Sequence, residues 1–244
     1  MQANQAKTLG EQIAKLVRAG QIEPAVDLLA PVLAERTPFR MLDLIGEAVG
    51  AGPVAAVNPF LERLAAGQTI GGWVVIGTAL RQQWSSDPDG AFTRCRNYII
   101  SGDVWHATDC LAERVSGPAL VTDFEAALAL LAAWSEDPNR WVRRAVGVSV
   151  HFWAKRSRGS LQQSPQAEAV LAFLEPLFEE RESDAIKGIG WGLKTLGRYY
   201  PELLADWLHR QLVQQQRQPR ALMLRKALTY LSAEQRARAT GAGS

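Results

Sequence analysis

The 244-residue chain is poor in several of the residue types that mark particular protein classes. Its two cysteines, Cys95 and Cys110, are too few for a disulfide framework or a cysteine-based zinc site. Its three histidines, His106, His151 and His209, are scattered along the chain, so no metal and no cofactor is expected. No apolar run reaches the roughly 18–20 residues of a membrane span, and no membrane partner is expected. The first residues, MQANQAKTLGEQIAKL, are polar and lack the apolar stretch of a signal peptide, which sets a cytoplasmic address as the expectation. Clean period-two alternation is missing, which argues against strands. Phosphate-binding Walker loops, HExxH and GxSxG motifs are missing as well.

Helical spacing fills the chain instead. Ile13, Leu16 and Val17 form one stripe, Val26, Leu29 and Leu33 a second, and Leu42, Ile45 and Val49 a third. Thr37-Pro38, Asn58-Pro59, Asp87-Pro88, Asp137-Pro138 and Ser164-Pro165 each read as a helix start, with a capping side chain before a first-turn proline. From about residue 72 the pattern becomes a string of helical pairs. The spacing predicts 73–83 with 90–100, 104–115 with 123–134, 139–155 with 167–181, and 184–199 with 202–214, with a last helix over 220–231. Trp105, Trp141 and Trp191 recur 36 and 50 residues apart, within the range of HEAT or armadillo units. The expected architecture is therefore an all-α, HEAT-like helical-repeat solenoid with a concave basic cleft. It is read as a single domain over 1–239, with N-terminal helices over 1–70 and a repeat core over 71–231. A loop is expected at Ser157–Ser164, and the Gly/Ala/Ser-rich end, 240–244, is expected to fray.

The net charge of +2 conceals an asymmetry. Residues 1–139 carry 10 basic and 16 acidic side chains; residues 140–244 carry 17 basic and 9 acidic. A basic half suits a surface that meets a polyanion. Three segments stand out against this background. In the first, VWHATD, Trp105 and Asp109 are four apart and share a helix face, so an aromatic plane lies beside a carboxylate. Both favour a cation or a developing positive charge. In the second, DPNRWVRRA, Arg143 and Arg144 follow Asn139 within two turns. One of them must point away from the stripe of Trp141, Ala145 and Val148, and either is suited to a phosphate or to an internal salt bridge. In the third, IKGIGWGL, Gly188, Gly190 and Gly192 interrupt a helical pattern and admit a close approach by a helix or a ligand beside Trp191. Their spacing is not a dinucleotide fingerprint.

Taken together, VWHATD, DPNRWVRRA and IKGIGWGLKTLGRYYPE resemble the AlkD-like family of HEAT-like-repeat alkylpurine DNA glycosylases over roughly residues 70–230. The first seventy residues carry no matching motif. The resemblance implies Asp109 as the catalytic aspartate, Trp105 and Trp191 as the cleft tryptophans, and Arg144 as the phosphate contact, with Arg143 the candidate if the alignment is off by one. Lys187 joins them as a candidate DNA contact.

The implied activity is hydrolysis of the N-glycosidic bond of cationic N3- or N7-alkylated purines in duplex DNA by a monomer, without flipping the base. An alkylated purine leaves without protonation, so one carboxylate that stabilises the oxocarbenium-like sugar is sufficient. Two other readings remain: a non-catalytic DNA-structure binder of the same fold, against which Asp109 argues, and a protein-interaction scaffold, which would show no salt-sensitive DNA binding.

Overall fold

The computed structural model describes residues 1–242; part of the tail expected to fray, Gly243 and Ser244, lies outside the described residues. Among the described residues there are helices and turns and no strand, so the all-α helical-repeat expectation holds. The chain forms two compact units, Met1–Val115 and Ser116–Ser244.

Unit 1 contains α1 (Ala3–Arg18), α2 (Ile22–Ala34), α3 (Phe39–Gly50), α4 (Val54–Ala66), α5 (Ile70–Gln83), α6 (Pro88–Gly102) and α7 (Trp105–Ala112). The apolar stripes place Ile13 and Val17 of α1 and Leu42, Ile45 and Val49 of α3 in its core. Alternate helices pack most closely: α1 on α3, α3 on α5, and α5 on α7. A methyl group on Gly50 would lie 2.6 Å from Ala79 Cα, so α3 and α5 meet backbone to backbone.

Unit 2 contains α8 (Ser116–Thr122), α9 (Phe124–Ser135), α10 (Arg140–Ser157), α11 (Ser164–Leu174), α12 (Ser183–Tyr199), α13 (Pro201–His209), α14 (Ala221–Ala227) and α15 (Ala233–Thr240). Here α8, α10, α12 and α14 pack in succession, with α10 against α12 as the most extensive contact. The second helix of each pair lies against this row, as α9 does on α8 and α13 on α12.

The punctuation explains where helices start and stop. Asp87 caps α6 by accepting the Gly90 amide at 3.1 Å, and Asn139 caps α10 by accepting the Trp141 amide at 2.8 Å. Asn58-Pro59 is a correction: Pro59 lies inside α4, which begins after Pro53. An interior proline costs about 3 kcal/mol, and the complete burial of Val57, Phe60 and Leu61 on the same helix offsets it. The helix expected over 167–181 instead ends at Leu174, where Glu175-Pro176 tightens the chain into a 3₁₀ turn. A short helix, α8, separates the expected 104–115 and 123–134, and α15 follows the helix expected to be last. It runs to Thr240 with Ala239 buried. The loop expected at Ser157–Ser164 is shorter than that: Ser157 ends α10, Leu161–Gln163 form a 3₁₀ turn and Ser164 starts α11. In the remaining 158–160, Gly159 turns the chain at φ +76°, where a methyl group would lie 2.7 Å from the Tyr199 carbonyl.

Candidate active site

In unit 1, α7 is set by an abrupt entry. Asp103 is left-handed at φ 43° and Val104 is extended, so the helix starts at Trp105. Ala107, Thr108, Cys110, Leu111 and Ala112 are buried and seat α7 on α5. The opposite face is left to Trp105, which is 57% exposed, and half-buried Asp109 one turn later. His106 meets the Trp105 ring edge-on at 5.6 Å, so it braces the indole, and its Nδ1 is buried without a hydrogen-bond partner. The end of α7 is anchored by buried Arg114, which donates through Nε to Asp43 at 2.8 Å and through Nη1 to the Cys110 carbonyl at 3.2 Å. Asp43 also accepts from Thr78 Oγ1, so α3, α5 and the end of α7 share one polar clip. Burial pushes the Cys110 thiol up to about 11, which makes it a poor nucleophile.

In unit 2 the two arginines diverge. Arg143 is internal: it pairs with Glu180 at 2.5 Å and donates to the Asp137 and Pro138 carbonyls at 2.6 and 3.0 Å. Burial raises the Glu180 carboxyl, but the Arg143 guanidinium and the Glu182 and Arg181 amides outweigh it and hold it below the usual range. The salt-bridge alternative for this residue is thus the one observed, with Glu180 as the acid. Arg144 points to the other side and is itself buried, 7% exposed, with Nη1 donating to the Asp184 carbonyl at 3.2 Å. Asp184 in turn meets half-exposed Lys187 at 3.1 Å and Arg140 at 3.6 Å.

The glycines of α12 serve two neighbours. A methyl on Gly188 would lie 2.6 Å from Arg144 Cγ, and one on Gly192 would lie 2.8 Å from the Gly147 carbonyl of α10. Gly190, two residues from each, faces Lys226 of α14 instead. Close helix packing is therefore what the three glycines provide. It seats Trp191, half-buried, with its ring stacked on His151 at 3.9 Å and 24°. His151 Nδ1 lies 2.7 Å from Thr195 Oγ1, which donates to the Trp191 carbonyl, so ring and backbone are held together. Burial, followed by the Lys155 charge, pushes His151 down to about 4, and the imidazole is neutral at pH 7.

The expected site residues therefore fall in two groups. Trp105 and Asp109 lie together on α7, and Arg144, Lys187 and Trp191 lie along the α10–α12 seam. Sequence reasoning missed His151, although it sits seven residues after Arg144 and hence two helical turns along the same face. Among the described residues no group of His, Cys, Asp and Glu side chains is placed to hold a metal ion, and no helix is long and apolar enough to cross a membrane.

Residues 74–231, more than half of the chain, match the family whose description is DNA alkylation repair enzyme. The chain belongs to that family. It is accordingly an enzyme of DNA repair, with DNA as its partner. Within this DNA alkylation repair enzyme the match begins in α5, ends just after α14, and includes α7, α10 and α12. No curated protein and no solved structure matches the chain.

Proposed function

We propose that this DNA repair enzyme is a glycosylase that removes cationic N3- or N7-alkylated purines from duplex DNA. The observation that carries the reading is the exposed indole of Trp105 one helical turn before half-buried Asp109, both left out of the buried face of α7. In the reaction the C1′–N bond breaks and its electron pair leaves with the purine, which departs neutral because it began as a cation. The positive charge left on the sugar lies against the Asp109 carboxylate and the face of Trp105, and Trp191 is the second indole that the family resemblance implies. Water then adds to C1′ and gives up a proton, with Asp109 placing or accepting it. Arg144 and Lys187 hold backbone phosphates, while Arg143 stays with Glu180.

The purine leaves without a proton donor, and the base remains in the stack rather than in a pocket. The test is release of free base from duplexes carrying one 7-methylguanine or 3-methyladenine. The native enzyme releases it, and Asp109→Asn binds the same DNA but excises about 10²–10³-fold more slowly. Native protein that binds the duplex yet releases no base would leave the non-catalytic DNA binder standing in place of this reading.

A further inference from the structure

Beside Trp191, within unit 2, a recess of about 190 Å³ opens between α10, α12 and Tyr230. Its walls carry Lys155, Lys194 and Arg198, together with His151 and Trp191, and no carboxylate. None of the three cations forms an ion pair among the described residues. Lys194 and Arg198 instead sit over the same Tyr230 ring, at 5.3 and 5.6 Å from its centroid. Two like charges gathered on one ring repel each other and concentrate positive potential where no acid offsets it. The crowding continues along the surface: burial, and after it the charges of Lys194, Arg144, Arg225 and Lys187, push the Lys226 ammonium below its ordinary value.

An anion is the ligand that relieves such a cluster, and the size of the recess limits what it is. Sites for whole small molecules run to about 300–1,000 Å³, so a nucleotide with its base exceeds this one, while a single phosphate group fits. Arg198 supplies a planar fork and the lysines supply point charges, the usual donors to phosphate oxygens. His151, neutral at pH 7, adds hydrogen-bonding capacity without charge.

We infer that this recess holds one phosphodiester group of a nucleic-acid strand, a contact separate from the one proposed for Arg144. His151 forms a wall of the recess and stacks on Trp191, so the phosphate held there fixes the strand beside that indole. The inference rests on the DNA-binding part of the proposed function and not on its excision chemistry.

The experiment uses undamaged duplex DNA, with affinity measured by anisotropy between about 50 and 200 mM salt for the native protein, Lys194→Gln, Arg198→Gln and the double variant. One shared phosphate predicts that the slope of log K against log salt falls by about one unit in the double variant, not two. An unchanged slope would overturn the site, and a loss of two units would replace it with two independent contacts. Inorganic phosphate is titrated in parallel by amide NMR. Perturbation of the Thr195 region by free phosphate, with the duplex slope unchanged, would show a site for small anions and overturn the strand assignment. Base release is not part of the readout, so the excision reading and this one fail separately.

Discussion

Adjacent arginines in α10 show how residues of one type take opposite roles. Arg143 closes on Glu180, whose side chain is 8% exposed, whereas Arg144 faces Gly188 and Asp184. Removing Arg143 leaves a nearly buried carboxylate without its cation, so Arg143→Ala is expected to cost about 3 kcal/mol in urea unfolding. Arg144→Ala is expected to weaken binding alike on damaged and undamaged duplex and to lower the salt slope by about one unit. A slope unchanged in the Arg144 variant would remove its phosphate contact.

His151 gives a residue-scale prediction in pH. Its folded value, about 4, lies below the ordinary 6.5. Between these values the unfolded chain takes up a proton that the folded chain refuses, so acidification favours unfolding. The His151 contribution is fully present above pH 6.5 and is lost as the pH falls toward 4. The Tm of the native protein should therefore drop across that window by more than that of His151→Gln. Parallel curves would show that His151 titrates normally.

Among the elements, α10 and α12 position the most. Gly147 would place a methyl 2.2 Å from the Gly188 backbone, and neither chain can yield without moving a helix. Gly147→Ala is therefore expected to destabilise by about 1–3 kcal/mol despite the better helix propensity of alanine. At Gly190 the nearest obstacle is Lys226 Cδ, the movable part of a flexible chain. Gly190→Ala should stay within about 1 kcal/mol of the native protein by urea denaturation. Equal destabilisation of the two variants would contradict this division of neighbours.

Several helices show what could be read in advance. The caps at Asp87 and Asn139 act over two or three residues, so their signals are local and legible. Close approach at Gly188, Gly190 and Gly192 was legible too, since three glycines in a helix need a reason, but their partners on α10 and α14 lie far off in sequence. Pro59 was misread because burial of its neighbours overrides a local rule. His151 escaped because its meaning comes from Trp191, forty residues away.

At the scale of the whole molecule, the strongest signals were the excess of basic residues after 140 and three motifs in fixed order. They pointed to the family that the match over residues 74–231 establishes, and with it to a DNA partner. Packing, by contrast, follows alternate helices within each unit, which pattern reading of consecutive pairs does not reveal.

The central claim is that catalysis proceeds without a proton donor for the leaving base, because the substrate already carries the positive charge. The direct measurement is single-turnover base release from a panel of duplexes, each with one lesion. The account predicts release of the cationic bases 7-methylguanine and 3-methyladenine, tolerance of bulkier N3 or N7 adducts, and no release of 1,N6-ethenoadenine, hypoxanthine or uracil. Efficient release of any of these neutral bases would demand a general acid and contradict the mechanism.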